Sequence, residues 1–371
     1  MSGIQPILMP KWGLAMQEGT VVQWHAEVGE EISSGQEILD IETSKIASGH
    51  ESPAAGPLRR IVVQGGETVP VGALLGVVAE ASVSDAELDG YVEEFLGNFE
   101  FDDGAADSGP ADETVEVAGR TLQFVRQGDG AGAPILFLHG FGGDRLGWMF
   151  NQSALAESFG TIALDLPGHG GSTKDVGGGT VDDLAGAVAG FLDALSIERA
   201  HLVGHSMGGA VAIALAASSP AKVGSASLLA PAGLGVEINM AFIDGFVNQT
   251  RARKLRPVLE LLVANPALVT ADMIENVIRF KRLDGAKDAL VRLKEGLFPE
   301  GRQRVFGAER LSSVGVPVQV VWGEQDRILP VGHAAAFGGS VPVTRIPEAG
   351  HLPHMEAAGA VNQAVFDFVR G

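Results

Sequence analysis

The run Gly204-His205-Ser206-Met207-Gly208-Gly209 fits the pattern Gly-x-Ser-x-Gly. Small residues on both sides let a serine sit on a sharp strand-to-helix turn. Its hydroxyl then stands clear of the backbone and can attack an acyl carbon. Such an attack creates an oxyanion, which backbone N–H groups must receive. Met207 follows the serine directly, so its N–H is one candidate donor. Phe141, in His139-Gly140-Phe141-Gly142-Gly143, is the other. Asp326 follows an apolar run that ends at Trp322, with Glu324 as a second acid two residues before it. His351 lies in Ala349-Gly350-His351-Leu352-Pro353 near the C-terminus. His139 reads as structural, His169 and His205 as loop residues without assigned chemistry, and His354 as a rim residue.

These residues need a rigid frame, and short apolar runs supply one. Residues 134–138, 161–164, 200–203, 225–229 and 317–322 read as strands separated by helical segments, the pattern of a parallel sheet covered on both faces. Ser206 falls just after the third of these runs. Residues 231–310 interrupt the alternation with helical sequence, as at 258–263 and 273–281, and read as an inserted cap. The window 251–310 holds 13 of the 26 basic side chains and 8 acidic ones, a net +5 in a chain of net −20.

Upstream, residues 1–80 carry short β-branched runs broken by Gly, Pro and Ser. Gly29-Glu30-Glu31-Ile32-Ser33-Ser34-Gly35 matches Gly66-Glu67-Thr68-Val69-Pro70-Val71-Gly72, an internal repeat that predicts a small all-β sandwich with two similar halves. Between the copies, residues 38–46 read as a strand running into a tight turn that bears Lys45. Residues 81–114 have 11 acidic and no basic side chains. Ser84-Asp85-Ala86-Glu87 resembles a capping box, and Leu88, Tyr91, Val92, Phe95, Leu96 and Phe99 recur at helical spacing. This helix packs on its own neighbouring domain or docks a partner protein, and residues 102–110 after it have linker composition. The expected division is 1–80, 81–114 and 115–371, with the cap at about 231–310.

Composition narrows the function. The 371 residues are 46% hydrophobic and 19% charged, enough for packed cores. Net charge −20 argues against nucleic acid, whose phosphates it would repel. The absence of cysteine excludes disulfides, thiolate-held metals and cysteine nucleophiles, and no metal site is expected. The N-terminus lacks a secretory pattern and no apolar run reaches membrane-spanning length, so a soluble cytoplasmic protein with no membrane attachment is expected.

With Asp165-Leu166-Pro167-Gly168-His169-Gly170-Gly171-Ser172 and Trp322-Gly323-Glu324-Gln325-Asp326, residues 115–371 resemble the α/β-hydrolase superfamily. The resemblance implies Ser206 as nucleophile, His351 as base and Asp326 as orienting acid, with Glu324 as the substitute acid. Residues 1–80 resemble a lipoyl domain, through Gly13-Leu14, Glu18-Gly19-Thr20 and Glu42-Thr43-Ser44-Lys45-Ile46. That implies lipoate amide-linked to Lys45. Ser44 stands where lipoyl domains commonly have Asp, and the neighbours Ser44 and Ile46 are unlike the methionines that flank a biotinyl lysine. The expected fold is thus a small all-β lipoyl/biotinyl-type sandwich followed by an α/β-hydrolase fold with a helical cap.

Joined in one chain, the two parts resemble the acetyltransferase components of acetoin dehydrogenase systems. No His-x-x-x-Asp-Gly signature of the more widespread acyltransferases occurs. The resemblance implies an acetyl group carried on lipoyl-Lys45 and passed to coenzyme A, a thiamine-diphosphate-dependent acetoin-cleaving component and a lipoamide dehydrogenase as partners, and a homo-oligomer. Arg253 and Lys254 in the basic cap could receive coenzyme A phosphates; the same charges could attract the acidic lipoyl domain or only solvate helices. Two other functions use the same residues: an acyl hydrolase with an appended lipoyl domain, and a lipoyl carrier or scaffold with a silent hydrolase fold.

Overall fold

The computed structural model describes residues 4–10, 18–43, 47–80, 82–99, 111–312 and 315–371. The chain divides into two compact units, Met1–Gly109 and Pro110–Gly371.

The first unit contains β1 (Ile4–Leu8), β2 (Glu18–Trp24), β3 (Glu31–Ile32), β4 (Glu37–Glu42), β5 (Ala47–Glu51), β6 (Gly56–Ile61), β7 (Thr68–Pro70) and β8 (Leu74–Ala79). They form two four-stranded sheets, ordered β1-β8-β6-β3 and β5-β4-β2-β7. The repeat seen in the sequence is structural: β4 corresponds to β8, β3 to β7 and β2 to β6, so the two strand orders are equivalent. The repeated glycines match in backbone too, with φ +96° at Gly29 and +89° at Gly66. Ile7, Val21, Ile38, Ile41, Leu58 and Leu75 fill the core between the sheets.

Helix α1 (Asp85–Asn98) belongs to this unit and begins with the expected capping box between Ser84 and Glu87. Leu88, wholly buried, packs with Tyr91, Val92 and Phe95 against Leu74, Val77 and Ala79. Arg60 pairs with Asp85 and Asp89 at 3.0 and 2.9 Å. Of the two roles open to this helix, packing on its own domain is the one observed.

The second unit opens with the antiparallel pair β9 (Glu113–Val117) and β10 (Arg120–Gln127), and continues with β11 (Ile135–Leu138), α2 (Met149–Ala156), β12 (Thr161–Leu164), α3 (Val181–Ala194), β13 (Ala200–His205), α4 (Met207–Ser218) and β14 (Val223–Leu229). The cap helices α5 (Met240–Asn248), α6 (Ala252–Leu259), α7 (Ala271–Lys281) and α8 (Ala286–Leu297) come next, then α9 (Gly307–Ser312), β15 (Val318–Gly323), β16 (Val343–Ile346), α10 (Pro353–Glu356) and α11 (Ala358–Arg370). The eight strands run β16-β15-β14-β13-β11-β12-β10-β9, parallel from β16 to β12. Every residue of β11, β12 and β15 is buried, as a sheet covered on both faces requires. β13 lies in the middle, so its C-terminal end is held by neighbours on both sides.

Candidate active site

Ser206 sits between β13 and α4 with φ +52° and ψ −113°, a strained conformation for a residue with a side chain. Three backbone hydrogen bonds hold it: Ser206 N–H donates to Leu229 at 2.9 Å, and its carbonyl accepts from Ala210 and Ala232 at 3.1 and 3.0 Å. The following Gly208 is a steric necessity, because a Cβ there would lie 2.1 Å from the Leu138 carbonyl oxygen. Among the described residues the Ser206 hydroxyl has no hydrogen-bond partner. Nor do the backbone N–H groups of Phe141 and Met207, although both residues are nearly fully buried. Two buried donors without acceptors beside a strained serine form a ready site for an oxyanion.

The acid and the histidine meet. His351 Nδ1 lies 2.8 Å from Asp326 Oδ2, and both side chains are buried. Asp326 is well supplied with donors: the Trp322 indole at 2.9 Å, and the N–H groups of Ile328 and Leu329 at 2.8 and 2.9 Å. Burial alone would raise its pKa. The charge and hydrogen bond of His351 and the two backbone N–H groups outweigh it and hold the carboxyl below its ordinary range. Glu324 is exposed and its side chain does not join this pair.

Buried histidines outside the pair brace the loops. His139 Nε2 accepts from Leu166 N–H at 3.0 Å, and His169 Nε2 accepts from Gly142 N–H at 3.0 Å. The loop carrying Phe141 is thereby tied to the loop after β12. Burial holds both imidazoles neutral, with His169 well below its usual pKa. His205 Nε2 lies 2.7 Å from the His351 carbonyl oxygen, and its ring stands 4.7 Å from that of His351. Sequence reasoning gave His205 and His169 no role, placed His354 at a rim although it is buried against His205, and missed Glu356. That carboxylate accepts from Gly350 N–H at 2.9 Å, Leu352 N–H at 3.3 Å and Ala264 N–H at 2.6 Å, and so joins the His351 loop to the cap.

The remaining candidates lie apart from this cluster. Lys45 is outside the described residues; β4 and β5 pair out to Glu42 and Ala47 on either side of it. Arg253 and Lys254 are exposed on α6 and do not line the cavity that borders Met207.

The alpha/beta hydrolase fold family matches residues 133–358, and the biotin/lipoyl family, described as biotin-requiring enzyme, matches residues 5–78. The chain is 47% identical over 359 residues to the dihydrolipoyllysine-residue acetyltransferase component of the acetoin cleaving system of Cupriavidus necator, covering 97% of this chain and 96% of that protein. It is 46% identical over 372 residues to the component of the same description from Pseudomonas putida, with all of both chains covered. A meta-cleavage product hydrolase from Pseudomonas fluorescens superimposes with a TM-score of 0.63 at 22% identity, covering 70% of this chain and 97% of that one, which shows the shared fold alone. A lipoyl-type domain, an α/β-hydrolase domain and full-length similarity of this degree place the chain in the family of dihydrolipoyllysine-residue acetyltransferase components of acetoin cleaving systems.

Proposed function

We propose that Lys45 bears the lipoyl group, and that Ser206, His351 and Asp326 pass its acyl cargo to coenzyme A through an ester on the serine. The observation that most supports this is the buried, hydrogen-bonded His351–Asp326 pair, whose imidazole stands 4.7 Å from the ring of His205, the residue just before the strained Ser206. The lipoyl group supplies a long arm whose thiol carries the acyl group as a thioester. In support, Lys45 falls in sequence between β4 and β5, which pair up to Glu42 and Ala47.

Ser206 Oγ attacks the thioester carbonyl carbon while its proton passes to His351 Nε2, and Asp326 stabilises the imidazolium. The N–H groups of Phe141 and Met207 receive the oxyanion. As the carbon–sulfur bond breaks, His351 returns the proton to the departing thiol, leaving Ser206 acylated. His351 then takes the proton of a second thiol, whose sulfur attacks the ester. The serine C–O bond breaks and Ser206 recovers its proton. One thioester is consumed and one formed, with no net redox change. The basic cap, Arg253 and Lys254 included, draws the phosphates of coenzyme A by its positive field. In the assembly that the relatives' names indicate, a thiamine-diphosphate-dependent component cleaves acetoin and loads the arm, and a lipoamide dehydrogenase reoxidises it; the chain works there as a cytoplasmic homo-oligomer. Among the described residues no helix is long and apolar enough to cross a membrane.

The test is acetyl-coenzyme A formation by the lipoylated full chain. Ser206→Ala lowers the rate by about a thousandfold or more, as loss of a nucleophile does elsewhere, while intact mass shows lipoylation unchanged. Lys45→Arg abolishes the lipoyl mass increment. Full turnover in Ser206→Ala, or a lipoyl increment that survives Lys45→Arg, would reject the corresponding assignment.

A further inference from the structure

Three side chains of the first unit converge at a place that the acyl chemistry does not use. His25 directly follows β2, and Glu37 and Asp40 belong to the neighbouring strand β4. His25 Nε2 lies 3.0 Å from Asp40 Oδ2 and 3.9 Å from Glu37 Oε1. One donor atom from each residue lies within 4.8 Å of the other two.

Strand register creates this meeting. Glu37 and Asp40 are three residues apart, so in a regular strand they would face opposite sides. β4 carries an extra residue here: Glu37 pairs with Glu51 on β5, but Leu39 already pairs with His50. That bulge turns Glu37 to the face of Asp40. Gln23 on β2 stands opposite Asp40, and His25, two residues on, shares its face. Gly49 completes the arrangement. It pairs with Asp40 from β5, and a Cβ there would lie 2.3 Å from the Glu37 carboxyl. Only glycine leaves that space open.

The donor set has a definite chemistry. An imidazole nitrogen with two carboxylate oxygens suits a divalent transition ion such as zinc, whereas calcium and magnesium take oxygen ligands. Ligands at 2.0–2.1 Å around tetrahedral zinc stand about 3.3 Å from one another. The two His25 distances fall on either side of that value. Gln23 Nε2 donates to Asp40 Oδ2 at 3.3 Å, an outer partner that orients the carboxylate. The side chains of His25, Glu37 and Asp40 are 33%, 54% and 24% exposed, so an ion and a water can reach them.

We propose that His25, Glu37 and Asp40 form a binding site for a divalent transition metal of the zinc type, with water as fourth ligand. The bound ion cross-links β2 to β4. Lack of cysteine led the sequence reading to expect no metal; this site uses nitrogen and oxygen ligands that only strand register brings together. It is independent of the acyl-transfer function above.

Calorimetric titration of zinc into the untagged full chain tests it, with His25→Ala and Glu37→Gln alongside. The second variant keeps the shape of the most exposed side chain of the three. Loss of a direct ligand costs more than the about 10–100-fold lost with an outer partner, so wild type binds one zinc more than either variant in the same range. Zinc also raises the unfolding temperature of wild type more than that of the variants. Calcium and magnesium give the same isotherm with all three proteins. Equal zinc stoichiometry and affinity in wild type and both variants overturns the proposal. A calcium site lost in Glu37→Gln but kept in His25→Ala also overturns it, since that is the behaviour of an acidic patch.

Discussion

His205 precedes the candidate nucleophile, and its ring lies between the two loops that complete the site. One nitrogen contacts the His351 carbonyl oxygen at 2.7 Å, and a Cβ on Gly140 would stand 2.7 Å from the other. Burial, together with the nearby His354 and His351, holds its pKa well below 6.5, so it serves as a neutral donor. His205→Ala removes that donor and the wedge between loops. A displacement of about 1 Å at a reacting group costs up to about a hundredfold in rate; kcat is expected to fall at least tenfold, with KM for the acyl donor nearly unchanged. His205→Gln, which keeps an N–H, is expected to recover part of kcat. Steady-state kinetics on both variants check this, and equal losses would show that the hydrogen bond is not what matters. Ser206 was legible because an elbow is a local event, written in six consecutive residues. His205 was not, because its partner lies 146 residues away.

At the scale of elements, the His351 loop depends on the cap. His351 N–H donates to Leu262 at 2.8 Å, and Glu356 joins Gly350 and Leu352 to Ala264. Burial raises the Glu356 carboxyl pKa despite the three N–H donors that favour its charge. Glu356→Ala leaves those donors without their acceptor, at a cost of about 1–3 kcal/mol. A lower unfolding temperature and a reduced kcat are expected together, since the same loop orients the imidazole; wild-type values for both would disprove the clamp. Strand visibility in the sequence follows burial. Five of the six inner strands, β11 to β15, stood out because continuous apolar runs are needed between two covered faces. β9 and β16 did not, since β9 alternates exposure and β16 is mostly exposed at the sheet edge. The capping box of α1 was readable, but its docking on β8 was one of two possibilities until Leu88 was seen buried among Leu74, Val77 and Ala79.

Across the whole molecule, buried neutral histidines link stability to pH. Burial, assisted by the charge of His351, lowers the His354 imidazole from 6.5 to about 3. Below pH 6.5 the unfolded chain takes up a proton there that the folded chain refuses. Stability is therefore complete above 6.5 and is lost progressively as pH falls toward 3. His354→Gln removes this proton uptake, so the unfolding temperature of the hydrolase-fold unit should fall less steeply than wild type between pH 6.5 and 4. Thermal unfolding across that range decides it, and parallel slopes would refute it. The sequence by itself determined what depends on neighbours along the chain: the elbow at Ser206, the 37-residue repeat, the alternation of strands and helices, and the order serine, acid, histidine. Only the tertiary structure decided which acid meets His351, which histidines splint the loop of Phe141, and which carboxylate ties the His351 loop to the cap. Those choices turn on contacts between residues far apart in sequence, where hydrogen-bond geometry and burial select one side chain from several of the same type.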